Sequence, residues 1–199
     1  MKAIILATRN PGKVREVRKI LGVLAPGVRL VPLSAFPRAK EVKESGSTLE
    51  VNAARKARYA AEISGMPALA EDSGLFVNAL RGRPGVRSSR YSGRGDKANN
   101  EKLLWELRNV PAARRGAAYK CVAALATPKG KVFFSRGECK GRIAFEEKGR
   151  SGFGYDPLFI PRGFGKTFAQ LGRKVKDGMS HRARALERMV PFIRKIRAA

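Results

Sequence analysis

The sequence predicts an α/β fold with a mixed β-sheet flanked by helices, and two observations carry this prediction. Segments of helical periodicity alternate with short apolar runs of strand length along most of the 199 residues. In the middle of the chain, strand-like runs at 117–127 and 131–138 are joined by Pro128-Lys129-Gly130, which is a hairpin signal. Helices mixed with both neighbouring and separated strands indicate a sheet with parallel and antiparallel pairs.

The first predicted elements are a strand and a helix joined by a polar turn. Residues 3–7 form a short apolar run, and the turn follows it. Asn10 is a good N-cap and Pro11 suits the first helical position, so the helix is expected to begin there. Its apolar face consists of Val14, Val17, Ile20, Leu21 and Leu24.

A second helix is predicted to extend to about Ser64. Ser47-Thr48-Leu49-Glu50 fits a capping box, and Gly65 is suited to end the helix. Asn52 and Lys56 lie four residues apart, so both side chains are expected on one face of this helix.

The rest of the chain supplies the remaining elements. Before the hairpin these are a strand at 67–70 that ends at Glu71-Asp72, an apolar run at 75–80, a long loop at 81–95 and a helix at 96–109. After the hairpin come a third strand at 141–146, a loop at 151–157 and the apolar run 158–160. A last helix begins at His181, with Ser180 as its cap. Pro191 is expected to kink or interrupt that helix, because proline has no N–H to donate.

Composition limits the class of protein. About 43% of the residues are apolar, which is enough for a core, and the length suits a single domain spanning 1–199. The start of the chain is too short for a signal peptide, and no apolar run approaches the roughly 18 residues of a membrane span. The two cysteines, Cys121 and Cys139, indicate a reducing compartment or no redox role, and they have no metal-ligand spacing. A soluble, cytoplasmic protein with no membrane partner is therefore expected.

The charge is unusual. Lys and Arg total 42 against 16 acidic residues, which gives a net charge of +26 and a pI near 11.2. Such a charge attracts polyanions, whether nucleic acid, an anionic membrane or a small polyphosphate. The alternative is a solvated basic surface with no dedicated partner, since the basic residues are spread along the chain.

Two segments in the first half carry side chains suited to phosphate and metal chemistry. The helix start at Asn10 directs backbone N–H groups and the positive end of the helix dipole at an anion, and Lys13 adds a cation. Asp72 can hold a hard cation such as Mg²⁺ or orient a water. A turn in which Asp72 accepts from local backbone N–H groups would also explain its position.

The second half of the chain contains two further candidate binding segments and one incomplete motif. The loop Phe153-Gly154-Tyr155-Asp156 offers aromatic faces and a carboxylate to a nucleobase, or it is a turn whose aromatics pack into the core. Lys176, Ser180, His181 and Arg182 lie around a helix start, where cations oppose the dipole unless an anion is bound. His181, as a lone histidine, is more often a structural donor than a catalyst. The run Gly163-Phe164-Gly165-Lys166-Thr167 resembles the end of a Walker A loop, but the pattern needs glycine at Ile160 and is rejected.

Six short segments of the chain are informative when they are considered together and in order. They are Ala7-Thr8-Arg9-Asn10-Pro11-Gly12-Lys13, Asn52-Ala53 with Lys56-Ala57, Glu71-Asp72-Ser73-Gly74-Leu75, Pro84-Gly85 with Ser89-Arg90-Tyr91-Ser92-Gly93, Phe153-Gly154-Tyr155-Asp156-Pro157, and Ser180-His181-Arg182. In this order the chain resembles, over nearly its whole length, the inosine triphosphate pyrophosphatase family, also described as the non-canonical purine NTP pyrophosphatases.

The resemblance implies a fold and a reaction. The fold is an elongated mixed sheet flanked by helices, with two lobes and a central substrate cleft, usually in a homodimer. The reaction is Mg²⁺-dependent hydrolysis of dITP or ITP and of XTP or dXTP to the monophosphate and pyrophosphate, which removes deaminated purines from the nucleotide pool.

The resemblance also implies roles for individual residues. Asp72 would activate water or bind the metal, and Ser73 would contact substrate. Phosphate contacts would come from Thr8, Arg9, Asn10, Pro11, Gly12, Lys13 and Lys56. The base would be held by Phe153, Gly154, Tyr155 and Asp156, with Lys176, His181 and Arg182 completing the base and phosphate contacts.

One departure from the family pattern concerns the metal. The family places a glutamate before the asparagine of the Asn-Ala-x-x-Lys segment, and Val51 occupies that position here. Glu50 or Glu71 could supply the missing ligand, although one helical step rotates a side chain by about 100°. The sequence therefore predicts a pyrophosphatase with a raised Mg²⁺ requirement. The competing hypothesis is a catalytically weakened nucleotide- or nucleic-acid-binding protein on the same scaffold. In that protein the high positive charge would serve to bind the nucleotide or nucleic acid.

Overall fold

The computed structural model describes residues 3–37, 39–40 and 42–198, with backbone alone at 197 and 198. Within these residues the elements are β1 (Ile4–Leu6), α1 (Pro11–Leu24), β2 (Leu30–Pro32), α2 (Leu49–Ser64), β3 (Ala68–Val77), β4 (Pro84–Gly85), α3 (Asp96–Glu106), β5 (Gly116–Ala126), β6 (Val132–Ile143), β7 (Phe159–Pro161), α4 (Phe168–Met179) and α5 (His181–Ala198).

The strands form one mixed sheet, which confirms the predicted α/β class. The order is β2-β1-β3-β5-β6-β7, and β4 pairs with β3 off this path. β1 lies parallel to both β2 and β3, whereas β4 is antiparallel to β3 and β7 is antiparallel to β6. Among the helices in the described part of the chain, none combines the length and apolar character that crossing a bilayer requires.

The chain divides into two compact units. The first unit comprises Met1–Asp72, Cys121–Gly137 and Arg182–Ala199. In its core, the apolar face of α1 packs with β1 and with the apolar side of α5. Val17, Ile20 and Leu21 are buried there, with Val14 and Leu24 packed against them at the edge, so the predicted face of α1 is confirmed.

The second unit comprises Ser73–Lys120 and Glu138–His181, and it has its own core. Apolar residues of β3, α3 and β7 form this core with Tyr155 and Phe168. Arg115 is buried beside the core and donates to the carbonyls of Leu107, Ile143 and Ala144. These hydrogen bonds satisfy three backbone carbonyls beside the core, so Arg115 has a structural role.

Several predicted boundaries need correction. β3 is continuous from Ala68 to Val77, so the strand does not end at Glu71-Asp72. The third strand predicted at 141–146 is instead the end of β6, which runs to Ile143. α5 continues through Pro191, so the helix is not interrupted there. The missing N–H of a proline removes only one hydrogen bond, and the packed apolar face of α5 offsets that loss.

Two helix starts also differ from the sequence prediction. α2 begins at Leu49, and its N-cap is Thr48, whose hydroxyl accepts from the N–H of Val51 at 3.2 Å. The capping box predicted from Ser47 is therefore wrong by one residue. α4 was not predicted from the sequence, although Thr167 and Gln170 form a reciprocal capping box at its start. Thr167 is the last residue of the rejected Walker A-like run, and in the structure it is the N-cap of α4.

Candidate active site

The start of α1 is built as the sequence predicts. The side chain of Asn10 accepts from the N–H of Lys13 at 3.0 Å, and Pro11 is the first helical residue. The Thr8 hydroxyl accepts from the N–H of Asn10 at 3.3 Å, and Arg9 donates to the carbonyl of Ala39. The first turn of α1 contains no acidic residue. Its N–H groups and dipole therefore face an environment suited to an external anion.

Glu71, in β3, is the centre of a buried ion cluster in the first unit. Its side chain is 1% exposed, and its Oε1 lies 3.1 Å from Lys13 Nζ and 3.3 Å from Arg182 Nη2. The Cys121 thiol donates to Oε2 at 3.4 Å. Burial by itself raises the pKa of Glu71, but the charges of Arg182, Lys13 and Lys56 outweigh it and hold the pKa well below its usual range. Glu71 is therefore ionised at neutral pH.

The two cations of this cluster are fixed in their charged state as well. Burial lowers the pKa of Lys13, but the charge of Glu71 exceeds that effect, so the pKa lies above its ordinary value. Burial likewise opposes the charge of Arg182, and Glu71 together with Glu16 raises its pKa above the ordinary value. Glu16 forms a hydrogen-bonded ion pair with Arg182. Lys13 and Arg182 thus hold two permanent positive charges around Glu71.

Asp72 follows Glu71 in β3 and contacts a different set of residues. It is 3% exposed, and its Oδ2 accepts from the side-chain amide of Asn52 at 2.9 Å. Lys56 Nζ lies 3.7 Å from Oδ1 and donates to the carbonyl of Glu71 at 2.9 Å. Asn52 and Lys56 therefore share a face of α2, as predicted, and that face meets β3. The alternative in which Asp72 sits in a local turn is wrong, because the strand is continuous.

The protonation of Asp72 differs from that of its neighbour. Burial is the largest influence and raises the pKa of Asp72 above its ordinary value. Lys56 and Lys13 lower the pKa, whereas the nearby charge of Glu44 raises it further. A carboxylate with a raised pKa is a stronger base than a free aspartate. Two adjacent carboxylates in one strand thus have opposite shifts, which suits them to different tasks.

Glu44 is a site residue that the sequence analysis missed. Its Oε1 lies 2.5 Å from Lys56 Nζ, so the ammonium group lies near carboxylates of both Glu44 and Asp72. Glu44 lies outside the helices and strands, in the segment that precedes α2. Since the chain has only 16 acidic residues, each isolated acid was a signal that could have been used.

Glu50 and Glu71, the two residues proposed to replace the family glutamate, contact different partners. Glu50 forms an ion pair with Arg136 at 2.8 Å on the surface, and Val51 is 43% exposed. Glu71 is engaged by Lys13 and Arg182. In the described part of the chain, no group of three or more His, Cys, Asp or Glu side chains is arranged to hold a metal ion. Asp72 and Glu44 both lie near the ammonium group of Lys56.

The aromatic loop of the second unit is anchored from within. Asp156 is buried, and its Oδ2 accepts from the N–H of Phe153 at 3.0 Å and from Lys176 Nζ at 2.5 Å. Gly154 is held on both sides, since its N–H donates to Asp96 at 2.7 Å and its carbonyl accepts from Asn100 at 3.2 Å. These contacts fix the loop before any ligand binds.

The two aromatics of this loop are placed differently. Tyr155 is buried in the core of the second unit, and its hydroxyl donates to the carbonyl of Ser88 at 2.8 Å. The position of Tyr155 therefore matches the alternative in which an aromatic packs into the core. Phe153 is only half-buried, and Lys176 Nζ lies 4.5 Å from the centre of its ring. Phe153 is thus the less buried of the two rings.

The cations around the last helix start are also placed differently from the prediction. Lys176 lies in the last turn of α4, where a positive charge is favourable, so the argument that it opposes a helix dipole is wrong. His181 and Arg182 are the first residues of α5. His181 stacks on Tyr119 with ring centres 4.6 Å apart, as a buried structural histidine would. The positive charge of Arg182 is paired with Glu16 and Glu71.

Ser73 follows Asp72 in β3 and is half-buried. Its predicted contact with substrate, like the base contacts of Gly154 and Asp156, stays a prediction.

Comparison with known proteins places the chain in one family. The model of the Ham1 family matches residues 4–192. A protein of Geobacter sulfurreducens named dITP/XTP pyrophosphatase is 50% identical over 188 residues, with 94% of each chain covered. A Frankia alni protein of the same name is 46% identical over 200 residues, covering 97% of this chain and 98% of the relative.

Solved structures agree with this assignment. A HAM1 protein from Coxiella burnetii superposes with a TM-score of 0.87 at 37% identity, covering 98% of this chain and 100% of the other. The nucleoside-triphosphatase, or dITP/XTP pyrophosphatase, of Mycobacterium abscessus gives a TM-score of 0.76 at 44% identity, covering 96% and 99%. The match of the family model over nearly the whole chain, together with these relatives, shows that the protein belongs to the Ham1 family.

Proposed function

We infer that this protein is a nucleoside triphosphate pyrophosphohydrolase that cuts dITP or ITP and XTP or dXTP to the monophosphate and pyrophosphate. Its removal of these deaminated purines cleans the nucleotide pool. Family membership and the names of the full-length relatives support this function. The observation that carries it is the buried Asp72, held by Asn52 and bordered by Lys56, beside the ion cluster of Glu71 in the first unit.

We propose that the triphosphate is bound by the start of α1 and by the nearby cations. The positive end of the α1 dipole and the side chain of Lys13 supply positive charge. Lys56 and Arg182 add two more cations in the same unit. Phosphoryl chemistry depends mainly on positioning and charge neutralisation. Because carboxylates already pair with these cations, we expect bound Mg²⁺ to add part of the positive charge that the triphosphate requires.

Mg²⁺ fits the ligands that surround Lys56. This ion prefers oxygen ligands and is commonly bound by one or two carboxylates, with phosphates and waters completing the shell. Asp72 and Glu44 both lie near the ammonium group of Lys56, so two hard oxygen donors already share one cation. We propose that these two residues hold Mg²⁺. When bound, the ion would polarise phosphate oxygens and neutralise charge that develops on them.

Asp72 is also the best candidate for the general base. Its raised pKa increases its affinity for the proton of an attacking water. The hydrogen bond from Asn52 fixes the orientation of the carboxylate, and Lys56 stabilises its ionised form. Glu71 is unsuited to this task, because Lys13 and Arg182 keep its pKa low.

We propose that the second unit selects the base. Phe153 offers a half-exposed ring for stacking, and the paired Lys176 and Asp156 lie beside it. Donors directed at a 6-oxo group would favour hypoxanthine and xanthine over a purine with an exocyclic amine there. A homodimer and a cytoplasmic location also stay predictions, which light scattering and cell fractionation would test.

Pyrophosphate release from dITP, XTP and dGTP across a Mg²⁺ titration tests the function. We expect release from dITP and XTP, little from dGTP, and loss of release in Asp72→Asn. Glu62→Gln, which changes an exposed acid on α2, is the matched control and should retain activity. Circular dichroism would verify that both variants fold.

The competing function is a nucleotide- or nucleic-acid-binding protein without turnover, which the charge of +26 favours. No pyrophosphate release at any Mg²⁺ concentration, from a folded protein, would reject the enzyme and favour that alternative.

A further inference from the structure

The second unit carries an exposed aromatic groove formed by α3 and the chain segment that precedes it. Trp105, on α3, is 64% exposed, which is unusual for the largest apolar side chain. It borders an open pocket of about 480 Å³ that is lined by Ser92, Arg94, Ala98, Glu101, Lys102 and Trp105. This set is called the Trp105 groove below. Its volume lies within the range of about 300–1,000 Å³ typical of ligand sites.

Cations surround the indole ring of this groove. The Arg108 guanidinium lies 4.2 Å from the centre of the Trp105 ring, and Arg108 also donates to the Trp105 carbonyl at 2.9 Å. Lys102 lies 4.4 Å from the centre of the Tyr91 ring and donates to the Tyr91 carbonyl at 2.9 Å. These contacts order both the indole and its neighbouring cations, so the ring is presented as a fixed flat surface.

The charge around the groove is strongly positive. Residues 81–108 include eight Lys or Arg and three acids, and all eight basic residues are exposed. Two of the acids are engaged within the unit: Asp96 accepts from the N–H of Gly154, and Glu106 accepts from Tyr91 and pairs with Arg83. Glu101 is left as the acid that lines the groove. At the groove, the exposed aromatic ring of Trp105 thus occurs with three cations, Arg94, Lys102 and Arg108.

We propose that the Trp105 groove binds single-stranded nucleic acid, with one base stacked on the indole and phosphates held by Arg94 and Lys102. Single strands are bound without sequence preference by aromatic side chains set in positively charged grooves. Arg94 and Lys102 both line the groove, and successive phosphates of one strand can contact both while a base stacks on the indole, which favours a strand over a mononucleotide. A second copy of the chain is a poorer occupant, because a symmetric contact would bring the same positive surfaces together.

The chain provides a built-in probe for this proposal. Trp105 is the single tryptophan, so its intrinsic fluorescence reports on the groove alone. We would titrate the full-length protein with an oligo-dT of about 12 nucleotides, within the usual range of site sizes. Binding should quench the fluorescence, and anisotropy of a labelled oligonucleotide should give the affinity. A purine mononucleotide at equal base concentration should compete poorly.

Matched variants separate stacking from general charge. Trp105→Ala should weaken binding about 5- to 150-fold, the range for loss of one base–aromatic stack, and Trp105→Phe should restore part of the affinity. Phe164→Ala, which removes another exposed ring of the same unit, is the control. Arg94→Ala with Lys102→Ala should lower the slope of log affinity against log salt by about 1.4.

The charge-matched control is Arg162→Ala with Lys166→Ala, which removes two exposed cations of the second unit outside the groove. An equal effect of both double variants, or unquenched Trp105 with the oligonucleotide saturated, would reject the groove in favour of diffuse charge. Conversion of a dimer to a monomer by Trp105→Ala, with unchanged oligonucleotide affinity, would instead identify an interface between copies. Pyrophosphatase activity should be unchanged in Trp105→Ala, since the proposal is independent of the catalytic one.

Discussion

Replacement of Glu71 by glutamine tests whether the buried cluster holds the first unit together. Glu71→Gln keeps the shape of the side chain but removes the charge that lies 3.1 Å from Lys13 and 3.3 Å from Arg182. Loss of one partner from a buried ion pair costs about 3–5 kcal/mol, because the other charge stays buried. Arg182 retains its pair with Glu16, and the Lys13 side chain is 15% exposed and can turn toward water. The lower end of the range, about 3 kcal/mol, is therefore expected.

The assay is urea denaturation at pH 7 with EDTA present, together with thermal unfolding. For a chain of this length, about 3 kcal/mol corresponds to a fall in Tm of roughly 6–12 °C. The control is Glu50→Gln, whose pair with Arg136 lies on the surface and should contribute less than about 1 kcal/mol. Equal stability losses in the two variants would refute the reasoning, since burial would then have no influence.

The same variant predicts how stability depends on pH. The folded pKa of Glu71 lies below its ordinary value of 4.5, so the unfolded chain takes up a proton more readily than the folded one. The contribution of Glu71 is therefore complete above the unfolded pKa and is lost as pH falls from about 4.5 toward the folded pKa. The stability difference between wild type and Glu71→Gln should be constant from pH 6 to 8 and should shrink below pH 4.5. A difference that grows on acidification would contradict this.

Three further predictions concern the metal, the general base and the base-binding loop. Val51→Glu should lower the Mg²⁺ concentration for half-maximal activity several-fold. Ile63→Glu, which alters another exposed residue of α2, is the control and should leave that concentration unchanged. Equal Mg²⁺ midpoints in the two variants would exclude a role for position 51. Asn52→Ala removes the donor to Asp72 and should cost about 1.5–3 kcal/mol in urea denaturation, together with a lower kcat. Asp156→Asn leaves Lys176 buried without its partner, so stability should fall by about 3–5 kcal/mol and KM for dITP should rise; an unchanged KM would limit Asp156 to a structural role.

Local elements of the fold were predictable from the sequence. The start of α1 at Pro11 with Asn10 as cap, and the shared face of Asn52 and Lys56, follow from rules that act over four or five residues. The α/β class with a mixed sheet was predicted as well, because alternating helices and strands leave few arrangements. The side chains around Asp72 that lie on α2 were thus within reach of sequence reasoning.

Features that depend on distant residues were not predictable. Glu71-Asp72-Ser73-Gly74 resembles a turn locally, yet β3 runs straight through it because neighbouring strands supply its hydrogen bonds. Glu44 meets Lys56 across twelve residues of irregular chain, and Glu16 meets Arg182 across 166 residues. Spacing in the sequence carries no information about such contacts.

The sequence by itself determined the family resemblance and the early helices, whereas its assignment of residues to phosphate and metal binding stays a prediction. Tertiary structure alone decided which charges are buried together, and hence that Glu71 has a lowered pKa and Asp72 a raised one. The physical reason is that a pKa depends on burial and on charges within a few ångströms, and long-range packing sets both.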